Sequence, residues 1–329
     1  MNFLPAQNCD AITLHAAALR ASGTGAILRA IACAAALGLL VWLAVRSGVS
    51  GHAVLNVLHT HMSLAIPAMG LGLCFIVGRS MLLSQACGDA GLSVSFGRAM
   101  RLFCEGVAIE SVCWPGKAWA DVHRASALGE GTMARRAAAL GLFRLGGGVG
   151  GLLVAATACA ISLGAGWLPV IGGLAAMLCV IAVVVAKKNR TNDGTANPNW
   201  SWRVSRLIAW GALASACDMA AMTLLAAKVG HVNIEWFVGV FAVTSIIAAA
   251  SMLPLGLGVL DLGCWHVLTT YAGLDAAAAT TVLLLYRLTG PLLTATIGAA
   301  LLLLRLTVNA RRGGEFGVTD RTSKLGGEL

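Results

Sequence analysis

Apolar windows of about 20 residues recur along the whole chain and constrain its fold more than any other feature. A helix of that length crosses a hydrocarbon core of about 30 Å, and a spanning helix satisfies its own backbone polar groups inside a bilayer. The chain has 329 residues, of which 58% are hydrophobic and 11% are charged, whereas soluble domains carry about a quarter charged residues. The sequence therefore predicts an all-α polytopic membrane protein with a single integral membrane domain over residues 1–329.

Six segments are predicted to span the membrane, and two more are predicted to be re-entrant. The sixth spanning segment contains Gly290-Pro291 near its middle, and a proline in a helix interior should kink or break the helix. The predicted spanning helices are about 26–46, 62–85, 137–164, 167–186, 206–227 and 275–306. The predicted re-entrant segments are 97–128 and 234–273, and the predicted cytoplasmic ends are 1–25 and 307–329.

The distribution of Lys and Arg decides how the two ambiguous segments run. Cytoplasmic loops of membrane proteins carry an excess of basic residues. If both segments enter and leave by the same face, the basic residues outside the helices all lie on one face, except Arg46 and Lys228. Both termini are therefore predicted to be cytoplasmic. The formal net charge of +9 is explained by this bias, and no nucleic-acid partner is expected.

The two re-entrant segments echo each other. In both, a Pro-Gly break is followed by a carboxylate and then, in the next helix, by an arginine. The two sets are Pro115, Asp121 and Arg144, and Pro254, Asp261 and Arg287. Three predicted crossings separate them, so the second set would enter from the opposite face, as in the inverted repeats of many transporters. Chance resemblance between two Pro-Gly breaks in a chain with 40 glycines is the alternative.

Ionisable residues inside the apolar segments are the candidates for function, because each costs about 2.5–3.5 kcal/mol at a helix centre. They are Glu105, Glu110, Asp121, Arg144, Asp218, Asp261 and Arg287. In one interpretation Arg144 and Arg287 form a clamp for a phosphate or another polar headgroup, with Asp121 and Asp261 positioning them. In the other, the same residues form two internal ion pairs. Asp218 is interpreted as a hydrogen-bonding residue between helices rather than as a proton or ion site.

Signatures of catalysis and of metal binding are weak. No G-x-S-x-G, H-E-x-x-H or P-loop pattern occurs, and the ten cysteines are scattered with no Cys/His cluster at zinc spacing. No catalytic residue, metal or cofactor is therefore predicted. The glycines of "RLGGGVGGLL" have the small-xxx-small spacing that favours close helix contact.

At the two breaks the sequence resembles a known family. The spans "ESVCWPGKAWADVHRASALGEGTMARRAAALGLFRL" and "LPLGLGVLDLGCWHVLTTYAGLDAAAATTVLLLYRL" resemble the membrane region of lysylphosphatidylglycerol synthases, the flippase-like family. Within it, they are most similar to the hopanoid-biosynthesis-associated membrane proteins. By position, the first family motif corresponds to Pro115, Gly116, Asp121, Arg124 and Arg144, and the second to Pro254, Gly256, Gly258, Asp261 and Arg287. Both family glutamates are aspartates here, and Ala120 replaces the glycine before the first acid.

The resemblance implies translocation or export of a polar, anionic or hopanoid-type lipid across the bacterial inner membrane. It does not imply lipid aminoacylation, because a separate soluble domain carries that activity in the family. Membrane lipids, and with them lipid-biosynthesis enzymes, are the expected partners. One alternative is an accessory membrane subunit that transports nothing. Another is an intramembrane lipid-modifying enzyme, which would require Asp121 and Asp261 to lie close together with one of them unpaired.

Overall fold

The computed structural model describes residues 51–112, 116–129, 131–163, 200–230, 232–250 and 259–322. Within these ranges all regular elements are helices, which confirms the predicted all-α membrane fold. Ten α-helices are described, with a short 3-10 helix (Met62–Leu64) between the first two. They are α1 (Gly51–His61), α2 (Ala65–Asp89), α3 (Phe96–Val112), α4 (Gly116–Leu128), α5 (Met133–Leu163), α6 (Trp200–Gly230), α7 (Ile234–Ala250), α8 (Val259–Thr270), α9 (Ala276–Thr289) and α10 (Pro291–Thr322).

Some predictions fall outside the described residues. These are the spanning helices 26–46 and 167–186, the N-terminal segment 1–25, and the break residues Pro115, Pro254, Gly256 and Gly258.

Four helical segments of the described chain are long and apolar enough to cross a membrane. They are Gly51–Asp89, Met133–Ser162, Trp202–Gly230 and Ala276–Arg305. They contain or closely match the predicted spans 62–85, 137–164, 206–227 and 275–306. The last of them is broken where the sequence predicted a break, because α9 ends at Thr289 and α10 begins at Pro291. The helix itself extends beyond this span: α10 continues to Thr322, since 307–322 contains no proline to end it.

The first predicted re-entrant segment folds as a helical hairpin of α3 and α4. One guanidinium nitrogen of Arg98, at the start of α3, donates hydrogen bonds to the carbonyls of Ala127 and Leu128 at 3.1 and 2.8 Å. These carbonyls belong to the last turn of α4. The hairpin therefore begins and ends at the same end of the helix bundle.

The second predicted re-entrant segment is a hairpin of α7 and α8. The rings of Trp236, at the start of α7, and Tyr271, just after α8, lie 5.8 Å apart between centroids. Further along the hairpin, Thr244 of α7 packs against Gly263 of α8. The two helices are therefore antiparallel, and this hairpin also begins and ends at one end of the bundle.

The two hairpins enter the bundle from opposite ends. Asp89 at the end of α2 pairs with Arg203 at the start of α6 at 3.4 Å, and the first hairpin follows α2 at this end. The second hairpin follows the other end of α6, where Gly230 packs against Leu274, just before α9. The inverted relation that the sequence echo predicts is thus present in the arrangement of the described helices.

Glycines bring α5 and α6 into close parallel contact. A Cβ at Gly146 would meet Leu207, and a Cβ at Gly150 would overlap the α6 backbone at Gly211 and Ala212. Contact this close requires residues without side chains. The glycine-rich stretch is therefore a helix-packing surface, as its spacing predicted, and it fixes the charged residues of α5 relative to α6.

Candidate functional site

A cavity of about 560 Å³ lies between the two hairpins, within the bundle. The first hairpin, the second hairpin and helices α2, α5, α6 and α9 all contribute to its wall, as does the Gly290-Pro291 break. Most of the lining is apolar, with the aromatic rings of Phe75, Phe103 and Phe143 among it. Its charged lining residues are Arg79, Glu110, Lys117, Arg124, Arg144 and Asp218. An apolar cavity with a few convergent polar groups is the usual form of a ligand site.

Asp121 joins the first hairpin to α5 through two arginines. The guanidinium of Arg144 donates from Nε to Asp121 Oδ2 and from Nη2 to Asp121 Oδ1, each at 3.0 Å. Arg124 Nη1 donates to the same Oδ1 at 3.0 Å. One carboxylate therefore compensates two guanidinium groups, both from residues that the family resemblance singles out.

Arg124 is a packed structural residue. It is 1% exposed, and its guanidinium lies 5.9 and 5.6 Å from the ring centroids of Phe103 and Phe143. Gly106 makes room for it, because a Cβ there would occupy the position of the guanidinium. A flat cation between two aromatic faces is a favourable arrangement, and it holds α4 against α3 and α5.

Arg144 is paired and still borders the cavity. Its side chain is 38% exposed, and its Nη2 also donates to the backbone carbonyl of Lys117 at 3.3 Å. Lys117 is a cavity residue as well. Burial lowers the pKa of the Lys117 ammonium, and the nearby Glu110 carboxylate raises it. Cationic and acidic groups are therefore close together at this wall.

Gly116 fits the turn of the first hairpin. A Cβ at this position would overlap the backbone of Glu110 on the opposite helix. The close approach of the two helices at this point needs a glycine, as expected for a break residue. The approach also places Glu110, on α3, beside the cavity.

The second predicted pair forms but does not face the cavity. Arg287 donates from Nε to Asp261 Oδ1 and from Nη2 to Asp261 Oδ2, each at 2.8 Å. Asp261 is 2% exposed and Arg287 is 7% exposed, and neither is among the lining residues. The suggested clamp of Arg144 with Arg287 is therefore wrong for this structure, because the buried carboxylate already engages the Arg287 fork. The alternative interpretation, an internal ion pair, describes Asp261 and Arg287.

Asp218 makes the contact between helices that the sequence predicted. The hydroxyl of Tyr286 on α9 donates to Asp218 Oδ1 on α6 at 2.9 Å. Both residues also border the cavity.

Glu105 forms a second polar cluster, apart from the cavity lining. It is fully buried, and its Oε2 lies 2.9 Å from Nε2 of His123. Arg101 and Arg305 lie at 3.6 and 3.8 Å from its carboxylate oxygens. This cluster ties the first hairpin to α10.

Arg79 and Lys117 are the charged cavity residues that the sequence analysis does not single out, and Arg79 shows why. The predicted helix ended at residue 85, so Arg79 was assigned to the basic face near the helix end. In the structure α2 continues to Asp89, which moves Arg79 a full ten residues from the helix end. Its distance from the true end of the apolar helix was the signal that could have identified it.

Two comparisons of this chain with known proteins give no match. No protein-family model matches it, and no curated protein matches it significantly. In the described ranges, no group of three or more His, Cys, Asp or Glu side chains is placed to hold a metal ion.

Proposed function

We propose that this protein moves a polar-headed lipid between the leaflets of the bacterial inner membrane. The observation that carries the proposal is the cavity between two hairpins that enter the bundle from opposite ends. Such an arrangement surrounds an internal site that is partly charged and partly apolar. Broken helices that surround a central binding site are a recurring design of secondary transporters.

The lining of the cavity suits an amphipathic ligand. Charged side chains cluster where the first hairpin meets α2 and α5, whereas the second hairpin contributes Ile246, Ala248 and Leu260. A lipid headgroup would occupy the charged part, with its acyl or terpenoid chains along the apolar part. Interior ionisable residues of membrane proteins commonly mark substrate pathways.

The resemblance to the flippase-like family supports the same proposal, since lipid translocation is what that family implies. The accessory-subunit alternative has no structural feature of its own in its favour. The enzyme alternative required an unpaired aspartate beside a second one. Instead, Asp121 is held by Arg124 and Arg144, and Asp261 is held by Arg287.

Lipid exchange between leaflets tests the proposal directly. The purified full chain is reconstituted in liposomes that contain tail-labelled lipids of anionic, zwitterionic and neutral headgroups. An impermeant quencher then measures how fast label in the inner leaflet becomes accessible. We expect exchange of at least one class well above that of protein-free liposomes. Exchange at the protein-free rate for every class, including a hopanoid, would contradict transport and favour the accessory subunit.

Arg135→Gln provides the matched control for charge variants. Arg135 is exposed at the start of α5 and is not a cavity residue. Arg144→Gln removes the same charge from the cavity wall. We expect Arg144→Gln to reduce the exchange rate at least tenfold and Arg135→Gln to leave it unchanged.

A further inference from the structure

The guanidinium of Arg79 is a partly buried cation that projects from α2 across to α5. A Cβ at Gly147 would collide with Arg79 Nη1, so this glycine leaves the space that the side chain needs. The guanidinium carbon lies 5.5 Å from the centroid of the Phe75 ring. Arg79 thus lies inside the bundle and borders the cavity.

Arg79 differs from Arg124, Arg144 and Arg287 in its lack of a close ion pair among the described residues. Arg124 and Arg144 share Asp121, and Arg287 is held by Asp261. In the part of the chain that the structure describes, no carboxylate lies within ion-pair distance of Arg79. Asp218 and Glu110 line the same cavity and act on Arg79 only at longer range. A cation without a close partner in a membrane interior is costly, which favours a ligand that brings a counter-charge.

Two further cations border the cavity near Arg79. Arg144 uses Nε and Nη2 for its bonds to Asp121 and to the Lys117 carbonyl, and it lines the cavity. Lys117 lines the same cavity as Arg79 and Arg144. Glu110 and Asp218 offset only part of this charge.

We infer that Arg79, with Arg144 and Lys117, binds the phosphate group of a lipid in this cavity. The inference rests on the proposed function for the lipid nature of the ligand, and it adds the headgroup chemistry. The planar fork of an arginine matches the oxygens of a phosphate. A hydroxyl or another uncharged headgroup, as in a neutral hopanoid, would bring no counter-charge to Arg79.

Binding to the purified full chain in detergent tests this inference with three probes. Dioctanoyl phosphatidate and dioctanoylglycerol differ only in the phosphate, and inorganic phosphate lacks the lipid. We expect saturable binding of the phosphatidate, with binding of the glycerol compound and of free phosphate at least about tenfold weaker. Equal affinity for phosphatidate and dioctanoylglycerol would overturn the inference. Equal affinity for phosphatidate and inorganic phosphate would assign the site to free phosphate and overturn its lipid part.

Variants then assign the site to Arg79. Arg79→Gln should weaken phosphatidate binding at least about tenfold. Arg79→Lys should weaken it less, because it keeps the charge, and Arg135→Gln should leave it unchanged. Gly147→Ala is a second route, since it displaces the guanidinium without removing it. Unchanged affinity in Arg79→Gln, with a wild-type thermal transition, would overturn the inference. If Arg79→Gln does not fold, the phosphatidate affinity of Gly147→Ala and the binding of the three probes to wild type still test the inference.

The outcomes separate this inference from the proposed function. Phosphatidate binding that depends on Arg79, without leaflet exchange of any lipid, would retain the phosphate site and exclude transport. Leaflet exchange that is unaffected by Arg79→Gln would retain transport and exclude the phosphate site.

Discussion

Arg144 and Asp121 are joined by two hydrogen bonds of 3.0 Å, and this pair fastens the first hairpin to α5. The same carboxylate also accepts a hydrogen bond from Arg124, which is almost fully buried. Asp121 therefore stabilises the wall of the cavity, whereas Arg79 and Lys117 line the cavity itself. Stability and ligand binding can be separated by mutation on this basis.

Asp121→Asn should destabilise the protein strongly. It removes the anion that compensates Arg124 and Arg144, and loss of one partner from a buried pair costs about 3–5 kcal/mol. The free energy of unfolding, measured by detergent titration in mixed micelles, checks the prediction. Asp121→Glu keeps the charge and should cost less. A stability of Asp121→Asn equal to that of wild type would show that the carboxylate charge does not hold the hairpin.

The Asp261–Arg287 pair should behave as a unit. Either single change, Asp261→Asn or Arg287→Gln, leaves a charge in a site that is less than 10% exposed. The double variant leaves none, so it should be more stable than both single variants. A double-mutant cycle of unfolding free energies measures this coupling. Additive effects would argue against a direct pair.

Gly150→Ala should destabilise the contact between α5 and α6, and Gly148→Ala should not. A Cβ at Gly150 would overlap the α6 backbone, whereas a Cβ at Gly148 meets no atom of the described chain within 4 Å. Overpacking costs about 1–3 kcal/mol, while alanine at an open helix position is neutral or favourable by up to about 1 kcal/mol. Thermal transitions of the two variants in the same detergent provide the comparison. Equal transitions would contradict the close contact.

The ends of each hairpin should be accessible from one side of the membrane. In a background with the ten native cysteines replaced, single cysteines are placed at Ser93 and Thr132 for the first hairpin. Asn233 and Ala272 serve for the second. An impermeant thiol reagent should label Ser93→Cys and Thr132→Cys from one side, and Asn233→Cys and Ala272→Cys from the other. Labelling of the two members of a pair from different sides would show a spanning segment instead.

Tyr286→Phe tests the contact with Asp218. The change removes one hydroxyl that donates to a carboxylate and should lower the free energy of unfolding by about 1.5–3 kcal/mol. Detergent titration against wild type measures it. No change in stability would indicate that Asp218 finds an equivalent donor without Tyr286.

Features that depend on local order along the chain could be predicted from the sequence. The Gly290-Pro291 break follows from backbone chemistry, and the two aspartates precede the arginines with which they pair at the spacings that a hairpin and the next helix require. The close contact of α5 with α6 follows from the glycine spacing. Each of these features follows from residue types and their spacing along the chain.

Arg79 and Arg287 could not be assigned correctly, because their roles depend on packing across the bundle. Sequence spacing does not indicate which face of α9 carries Arg287 toward a buried carboxylate rather than toward a cavity. Likewise, the unpaired state of Arg79 depends on the distance to carboxylates of other helices. A motif places an arginine near an acid in the chain, but only the three-dimensional arrangement shows which cation lacks one.

The two hairpins share a backbone plan but differ in chemistry. Of the charged groups in the cavity wall, Glu110, Lys117 and Arg124 belong to the first hairpin, and the second hairpin contributes none among its described residues. If the protein moves an anionic lipid as proposed, the headgroup would bind most tightly beside the first hairpin, and its release from there would limit the rate of passage in both directions.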